Sequence, residues 1–382
     1  MAKARGIIAV DKMGTKVLFL NPVTYATEVV LDGFDKTVHE LLVVPETSRA
    51  YVPIFGDGIH GRNPNPQHWL CVFDLEKRAL LTTIDLRPYI APHTLKLGSD
   101  GFIYITCENS AKVVVIDPRP NRVVEALDSG STNGHRLVIA PDGQRLYTEN
   151  EEDGTVSVID LAERRLMGKI KCPRPLAGIA ISANGKTVIA VDDAEPKLIL
   201  IDTEAGYVRE ELVLKDVPKA AQIARYSPDN KTLGVTSLNS DTVSLIDPSF
   251  KQQTAIKVGS QPMDMAFHGD ELFVACQGDG SVHVIDIANK KHKSSFKARQ
   301  GLRVDRVLLG SASKGVLSSC DGRCNGLLSL FSRSPRCMIL WRRKIFRTAL
   351  SPSWCRSRPV AAWISSPAPS DTNCRSVSAN RC

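Results

Sequence analysis

The sequence predicts an all-β fold, a seven-bladed β-propeller of four-stranded antiparallel blades that occupies residues 1–300. The first observation is a short alternating β-branched segment that recurs and ends each time in aspartate or asparagine. The second is the spacing of these end residues, which lie 39 to 53 residues apart. Such a period with short strands is typical of a blade array rather than of separate domains. The end residues are Asn21, Asp74, Asp117, Asp160, Asp202, Asp247 and Asp286.

The third observation is that one period divides into four strands. Strand-like runs at 135–139, 145–149, 156–161 and 165–170 are separated by turns of Gly, Asp and Pro. Turns of this composition join short antiparallel strands. The aspartate that closes each third strand is expected to accept N–H bonds from the following turn. We therefore interpret the recurring end residues as structural rather than catalytic.

Two segments of the repeat carry a family resemblance, IAPDGQRLYTENEEDGTVSVIDL at 139–161 and ISANGKTVIAVDDAEPKLILIDT at 181–203. They resemble the YVTN-repeat seven-bladed β-propellers, which are similar to lactonase-like and quinoprotein-related propellers. The resemblance covers residues 6 to 300 and implies the fold. Because propellers of this kind include enzymes, electron-transfer partners and binding scaffolds, it implies a lactonase-like activity only as one option.

The first blade lacks an inner strand, since residues 6–31 supply only three strand-like runs. A propeller ring normally closes by bringing a C-terminal strand beside the first blade. The alternating residues 302–308 are the predicted closing strand.

The second blade carries the one large insertion, at 55–69, which is rich in Gly, Pro and Asn. Long loops on a rigid scaffold are where function concentrates.

The charge of the chain is unevenly distributed. The whole sequence has a net charge of +8, but residues 1–300 hold 35 Lys and Arg against 38 Asp and Glu. A mildly acidic propeller argues against a nucleic-acid partner and leaves a small-molecule substrate as the expected one. We predict a cytoplasmic protein without a membrane partner, since no signal peptide and no apolar run of membrane-spanning length is visible. The oligomeric state stays open.

The tail, residues 301–382, is rich in Arg, Ser and Cys and lacks the blade pattern. It holds six of the ten cysteines, and Cys320 and Cys324 have a spacing that zinc ligands use. A disordered arm is a second interpretation. The one that we favour is out-of-frame translation, which would produce this composition and erase the repeat.

Three histidines, His39, His93 and His135, occupy the same position at the start of the inner strand in blades two to four. The corresponding residues in later blades are Ala177, Gln222 and about Gln261. Inner strands line the central channel, so these histidines are expected to converge at one rim.

The inserted loop is expected at the same rim, and we predict that it binds ligand through Asp57, His60, Asn63 and His68. Two glutamates complete the predicted site. Glu108 and Glu149 end the second strands of blades three and four, beside His93 and His135. A carboxylate can fix the tautomer of a neighbouring histidine and raise its basicity.

Three interpretations of this cluster remain open. His39, His93 and His135 could bind a divalent metal such as Zn, Fe or Mn. Alternatively, His93 or His135 could act as a general base with Glu108 and Glu149, without a metal. In the third interpretation the histidines only pack between blades. The predicted function is a small-molecule enzyme that catalyses lactonase-like hydrolysis or a lyase or isomerase step; the alternative is a non-catalytic scaffold that binds on the same face.

Overall fold

The described part of the chain forms seven antiparallel sheets, each a blade of a ring. The computed structural model describes residues 6–34, 36–57, 63–298 and 306–309. Within them the helical segments are three single 3-10 turns, Pro45–Thr47, Glu108–Ser110 and Leu238–Ser240. The predicted all-β propeller is therefore confirmed. No helix among the described residues has the length and apolarity that crossing a membrane requires.

The first two blades differ from the rest in their inner strands. The first blade begins with β1 (Ile7–Asp11), β2 (Lys16–Leu20) and β3 (Thr27–Leu31). In the second blade the inner strand is split into two short pieces that both pair with β6. Its strands are β4 (Thr37–Val38), β5 (Leu42–Val44), β6 (Arg49–Gly56), β7 (Trp69–Asp74) and β8 (Ala79–Asp85).

Blades three to seven each have four strands. Blade three contains β9 (Pro92–Leu97), β10 (Ile103–Cys107), β11 (Lys112–Asp117) and β12 (Arg122–Asp128); blade four contains β13 (Gly134–Ile139), β14 (Arg145–Asn150), β15 (Thr155–Asp160) and β16 (Arg165–Lys171). Blade five contains β17 (Leu176–Ile181), β18 (Thr187–Asp192), β19 (Lys197–Asp202) and β20 (Tyr207–Val213). Blade six contains β21 (Ile223–Tyr226), β22 (Leu233–Ser237), β23 (Thr242–Ile246) and β24 (Gln253–Lys257); blade seven contains β25 (Pro262–His268), β26 (Glu271–Cys276), β27 (Ser281–Asp286) and β28 (Lys291–Lys297).

A last strand, β29 (Arg306–Leu309), completes the first blade. It pairs antiparallel with β1, so that Leu309 lies opposite Ile7 and Arg306 lies opposite Val10. It overlaps the segment 302–308 that the sequence analysis assigned to ring closure, of which residues 302–305 lie outside the described part. The pairing gives β1 a neighbour on its inner side, so that the first blade has four strands.

The recurring aspartates cap turns, as predicted. Asp160 accepts N–H bonds from Ala162 and Glu163 at 2.9 and 2.8 Å. Asp74 and Asp202 likewise accept N–H bonds from the residues two and three positions after them. A carboxylate that accepts these bonds satisfies turn amides that no strand partner can reach, which explains the recurrence without any catalytic role.

The apolar core lies between blades rather than within them. Tyr104 of blade three, for example, packs in one cluster with Leu146 and Ile159 of blade four, and all three side chains are fully buried. Each blade is one sheet thick, so its two faces are covered only by its neighbours. This packing fixes the position of each inner strand relative to the next.

The inner strands of blades three, four, five and seven share a β-bulge close to their start. Opposite β10 the register of β9 shifts between the pairs Leu95–Ile105 and Pro92–Cys107, and β13, β17 and β25 shift at the equivalent point. A bulge leaves one backbone amide without its regular partner. A side chain on the second strand accepts that amide in blades three and four, where Thr106 accepts from Thr94 and Glu149 accepts from Arg136. At the equivalent register of blade six, Thr236 accepts from the amide of Ile223. Glu149 therefore has a structural task.

Candidate functional site

The bulges bring His39, His93 and His135 into a column of three imidazole rings from three successive blades. The ring centroids of His39 and His93 are 4.0 Å apart, and those of His93 and His135 are 4.1 Å apart. All three side chains are buried, with exposures of 7%, 1% and 4%. The three histidines thus lie together at one level of the ring, as the sequence analysis predicted. We call the three residues the histidine column.

The equivalent position in the seventh blade is Met263, because Pro262 lies opposite Cys276 as Pro92 lies opposite Cys107. The expectation of a residue near Gln261 was therefore wrong by two positions. The turn between β25 and β26 has two residues, against five between β9 and β10, so an alignment on this turn shifts the register of blade seven.

Glu40 joins the histidine column, and the sequence analysis missed it. Between the pairs Val38–Ile54 and Leu42–Tyr51, three inner-strand residues face only two residues of β6. In a regular strand the side chains of His39 and Glu40 would point to opposite faces. Here the carboxylate of Glu40 lies 3.9 Å from Nδ1 of His93, the neighbour of His39. The signal available in the sequence is that Glu40 directly follows a column histidine.

Both predicted histidine–carboxylate pairs are in contact or close to it. Nδ1 of His135 lies 2.9 Å from Oε1 of Glu149, and Nε2 of His93 lies 3.8 Å from Oε1 of Glu108. A second carboxylate, that of Glu151, also lies 2.9 Å from Nδ1 of His135. His135 is therefore held between two carboxylates.

The strand register separates the roles of these glutamates. Cys107 and Asn150 occupy equivalent positions, so that Glu108 corresponds to Glu151, and Glu149 corresponds to Thr106. Glu108 and Glu149, which the sequence analysis placed at equivalent ends of their strands, are therefore out of register with each other. Glu151, which it did not select, is the true counterpart of Glu108.

Burial and charge give the three histidines different protonation states. Burial lowers the pKa of His39 well below its ordinary value, and the charges of Lys12 and Arg136 lower it further. Burial likewise lowers the pKa of His93, with the neighbouring histidines adding to the effect. Burial opposes the charge on His135 too, but Glu151 and Glu149 outweigh it and raise its pKa to about 10. At neutral pH the column thus has two neutral rings and one cationic ring.

Among the described residues, two sets of donor atoms lie close enough together to hold a metal ion. One set is His39, Glu40 and His93, and the other is His93, Glu108 and His135; within each, the ligand atoms lie within 4.8 Å of one another. Two imidazoles with one carboxylate are a donor set that Zn, Fe and Mn accept. A ligand histidine must be neutral. The pKa directions therefore favour the first set over the second, which contains the cationic ring of His135.

The column borders the central channel, where the structure has two cavities. The larger, of about 260 Å³, is lined by Glu40 of blade two and by inner-strand residues of blades three to six. The smaller, of about 30 Å³, is lined in part by His39. Glu40, Arg136 and Ile223 line both cavities, so they lie between them. The guanidinium of Arg136 donates to Glu40 there, and both side chains are buried.

The described residues of the inserted loop bind mainly within their own blade. The Asp57 carboxylate accepts bonds from Lys36 at 2.9 Å and from Asn65 at 2.6 Å. Asn63 donates to the carbonyl oxygen of Phe55 at 2.8 Å and accepts from the amide of Asp57 at 3.2 Å. These bonds hold the base of the loop against β6.

His68, the loop histidine that the structure describes, binds an outer strand of its own blade rather than the column. Nδ1 of His68 lies 2.9 Å from Oδ1 of Asp85 on the outer strand β8, and its ring packs against Trp69. His60 lies outside the described residues. The ligand-binding role of Asp57, His60, Asn63 and His68 thus stays a prediction.

Neither a family model nor a curated protein sequence matches the chain. Solved structures do. Hydrazine synthase of Kuenenia stuttgartiensis is 19% identical, with a TM-score of 0.55 over 67% of this chain and 80% of that one. A functionally unknown protein from Desulfotomaculum acetoxidans DSM 771 is 11% identical, with a TM-score of 0.62 over 79% of this chain and 99% of that one.

The chain has the fold of a seven-bladed β-propeller. Likeness at these identities shows the fold and nothing of the activity. Membership of the YVTN-repeat family, a lactonase-like activity and a cytoplasmic location of this propeller therefore stay predictions. What the propeller does must be argued from the histidine column and the channel beside it.

Proposed function

We propose that the propeller is a metal-dependent hydrolase of lactonase-like type that acts on a small molecule at the wall of its central channel. The observation that carries the proposal is the set His39, Glu40 and His93, whose ligand atoms lie within 4.8 Å of one another beside the channel. Two imidazoles and a carboxylate that converge in this way form a donor set that binds divalent transition metals.

The chain would prepare this set for a divalent ion in two ways. Low pKa values keep both imidazoles free of a competing proton. Arg136 donates to Oε1 of Glu40 and orients the carboxylate beside the two imidazoles. A bound divalent ion would polarise a substrate carbonyl or lower the pKa of a water molecule.

His135 would supply the positive charge that ester or lactone hydrolysis needs. Its ring lies 4.1 Å from that of His93, and Glu149 and Glu151 keep it protonated at neutral pH. A cation at this place can stabilise the oxyanion that forms on a carbonyl oxygen, or return a proton to the leaving alcohol. The same groups suit a lyase or isomerase step at a carbon next to a carbonyl, which is the second reaction class of the proposal.

Metal analysis of the purified full-length protein tests the proposal. We expect close to one Zn, Fe or Mn per chain in the wild type and its loss in His39→Ala and His93→Ala. The matched control is His268→Ala, since His268 is exposed at the end of β25, far along the strand from the bulge. Wild type and variants are then assayed on a panel of lactones and esters, where only wild type and control should be active.

The opposite result also has a clear meaning. A protein without stoichiometric metal that also fails on the whole panel contradicts the hydrolase. It would favour the alternative, a non-catalytic scaffold that binds a ligand or a protein over the same channel mouth. Metal that persists in both His39→Ala and His93→Ala would place the ion elsewhere and contradict the proposed ligand set.

A further inference from the structure

The larger channel cavity, which we call the channel chamber, carries an excess of positive charge. Its charged lining residues are Lys96, Arg136, Arg225 and Glu40, and the buried carboxylate of Asp264 binds Arg225, so three cations meet two anions. This is the reverse of the propeller as a whole, where acidic residues are in slight excess. A cationic enclosure in an acidic protein concentrates anions.

The cations are placed by the blade repeat. Lys96 lies opposite Tyr104 and Arg225 lies opposite Gly234, and these pairs occupy the same register in blades three and six. The two side chains therefore reach the channel at one level from blades that are not neighbours. Arg136 corresponds to Thr94, two residues closer to the start of the inner strand than Lys96, and lies next to the histidine column.

Carboxylates below the chamber hold its two arginines in place. Nη2 of Arg225 donates to Oδ1 of the buried Asp264 at 3.1 Å, and Nη1 of Arg136 donates to Glu40. Nε of Arg136 also donates to the carbonyl oxygen of Ala177 at 3.1 Å. A guanidinium fixed in this way presents its fork to an anion with little loss of side-chain entropy.

Apart from Thr94 and Tyr226, the remaining lining residues of the chamber are apolar. Inner strands of blades four and five supply Ile139, Ile179 and Ile181, and Tyr226 closes the lining from blade six. The volume of about 260 Å³ is below the roughly 300–1,000 Å³ of pockets that hold drug-sized ligands. The occupant is therefore small, with one charged end and an apolar body.

We propose that the channel chamber binds a small organic carboxylate, and that this anion is the substrate or product of the column. The second half of the statement rests on the proposed function; the binding itself does not. The chamber and the column share walls: Glu40 and Thr94 line the chamber, and both contact His93, at 3.9 and 3.0 Å from Nδ1. A carboxylate held at Arg136 thus lies one side chain away from His93.

Calorimetric titration of the full-length protein after treatment with a chelator tests the binding. The probes are hexanoate and its neutral isostere hexanamide. We expect hexanoate to bind at least tenfold more tightly than hexanamide, and added salt to weaken only hexanoate. Lys96→Gln should weaken hexanoate by roughly tenfold, which corresponds to about 1.4 kcal/mol, and leave hexanamide unchanged.

Two further variants locate the effect. Lys231→Gln is the control, since the side chain of Lys231 is 81% exposed on a turn of blade six. Ala224→Leu fills the chamber without changing its charge and should abolish hexanoate binding; it decides the matter if Lys96→Gln does not fold. Equal binding of the two probes, or unchanged hexanoate binding in a folded Lys96→Gln or Ala224→Leu, would overturn the inference. Because the protein is metal-free in this experiment, failure of the proposed hydrolase would leave its result intact.

Discussion

Glu40 of the second blade and Arg136 of the fourth form a buried ion pair between the two channel cavities. They hold equivalent positions in the repeat, each directly after a column histidine. Their exposures are 4% and 9%, so neither charge is well solvated. The pair joins blades that are not adjacent in the ring, and it touches both the proposed metal ligands and the channel chamber.

Removing the cation alone should be far more damaging than replacing both partners. Arg136→Met leaves the Glu40 carboxylate buried without its main partner, which typically costs about 3–5 kcal/mol. The double variant Glu40→Gln/Arg136→Met should recover most of that loss, since no charge is stranded. Urea unfolding of the wild type, both single variants and the double variant measures the coupling between the two residues. Additive losses, without recovery in the double variant, would show that the pair is not coupled.

Glu149 should be replaceable by threonine but not by alanine. Thr106 and Thr236 occupy the positions that correspond to Glu149, and each accepts the equivalent inner-strand amide. Glu149→Thr can keep this bond, whereas Glu149→Ala leaves the amide of Arg136 unsatisfied, at a cost of about 1–3 kcal/mol. Thermal unfolding compares the two variants.

The same pair of variants separates structure from chemistry. If Glu149 is needed only to accept the bulge amide, the Glu149→Thr variant should be as active as the wild type. If it is needed to keep His135 charged, Glu149→Thr should be stable but should have lower activity at alkaline pH, because one of the two carboxylates that raise the pKa of His135 is lost. Equal stability of the threonine and alanine variants would contradict the structural role.

The blades, their turns and the aspartate caps were predictable from sequence because each depends on local spacing and turn chemistry. The convergence of His39, His93 and His135 also followed from the repeat. Glu40 and Glu151 were not found, since their positions depend on bulges that no local pattern marks. A bulge changes the face of the sheet to which the following side chains point. A prediction from strand alternation alone therefore assigns such a residue to the wrong face.

The four propeller cysteines should be unreactive in the native protein. Burial raises the pKa of the Cys71, Cys172 and Cys276 thiols to about 12, and it also raises that of Cys107. The thiolate is the reactive form, so N-ethylmaleimide at pH 7 should label these residues only after unfolding. Peptide mapping by mass spectrometry resolves each site. Rapid native labelling of any of the four would show that its blade opens.

These thiols also predict an alkaline loss of stability. Their pKa values are raised in the folded state, so the native protein keeps protons that the unfolded chain releases above about pH 9. The free energy of unfolding should therefore fall as pH rises above that value. Cys71→Ala should flatten this slope relative to the wild type in urea unfolding at pH 8 to 10.5. A slope identical in the wild type and Cys71→Ala would contradict the assignment.

Closure of the ring by β29 predicts how truncations behave. Ending the chain after residue 298 removes β29, exposes the inner edge of β1, and breaks a ladder of four residue pairs. At about 0.5–1.5 kcal/mol for each lost hydrogen bond, we expect a loss of roughly 2–6 kcal/mol. Ending it after residue 316 retains β29 and should preserve stability. Thermal and urea unfolding of both truncations against the full chain measure the difference. If the two truncations are equally stable, the first blade does not depend on β29 for its inner strand.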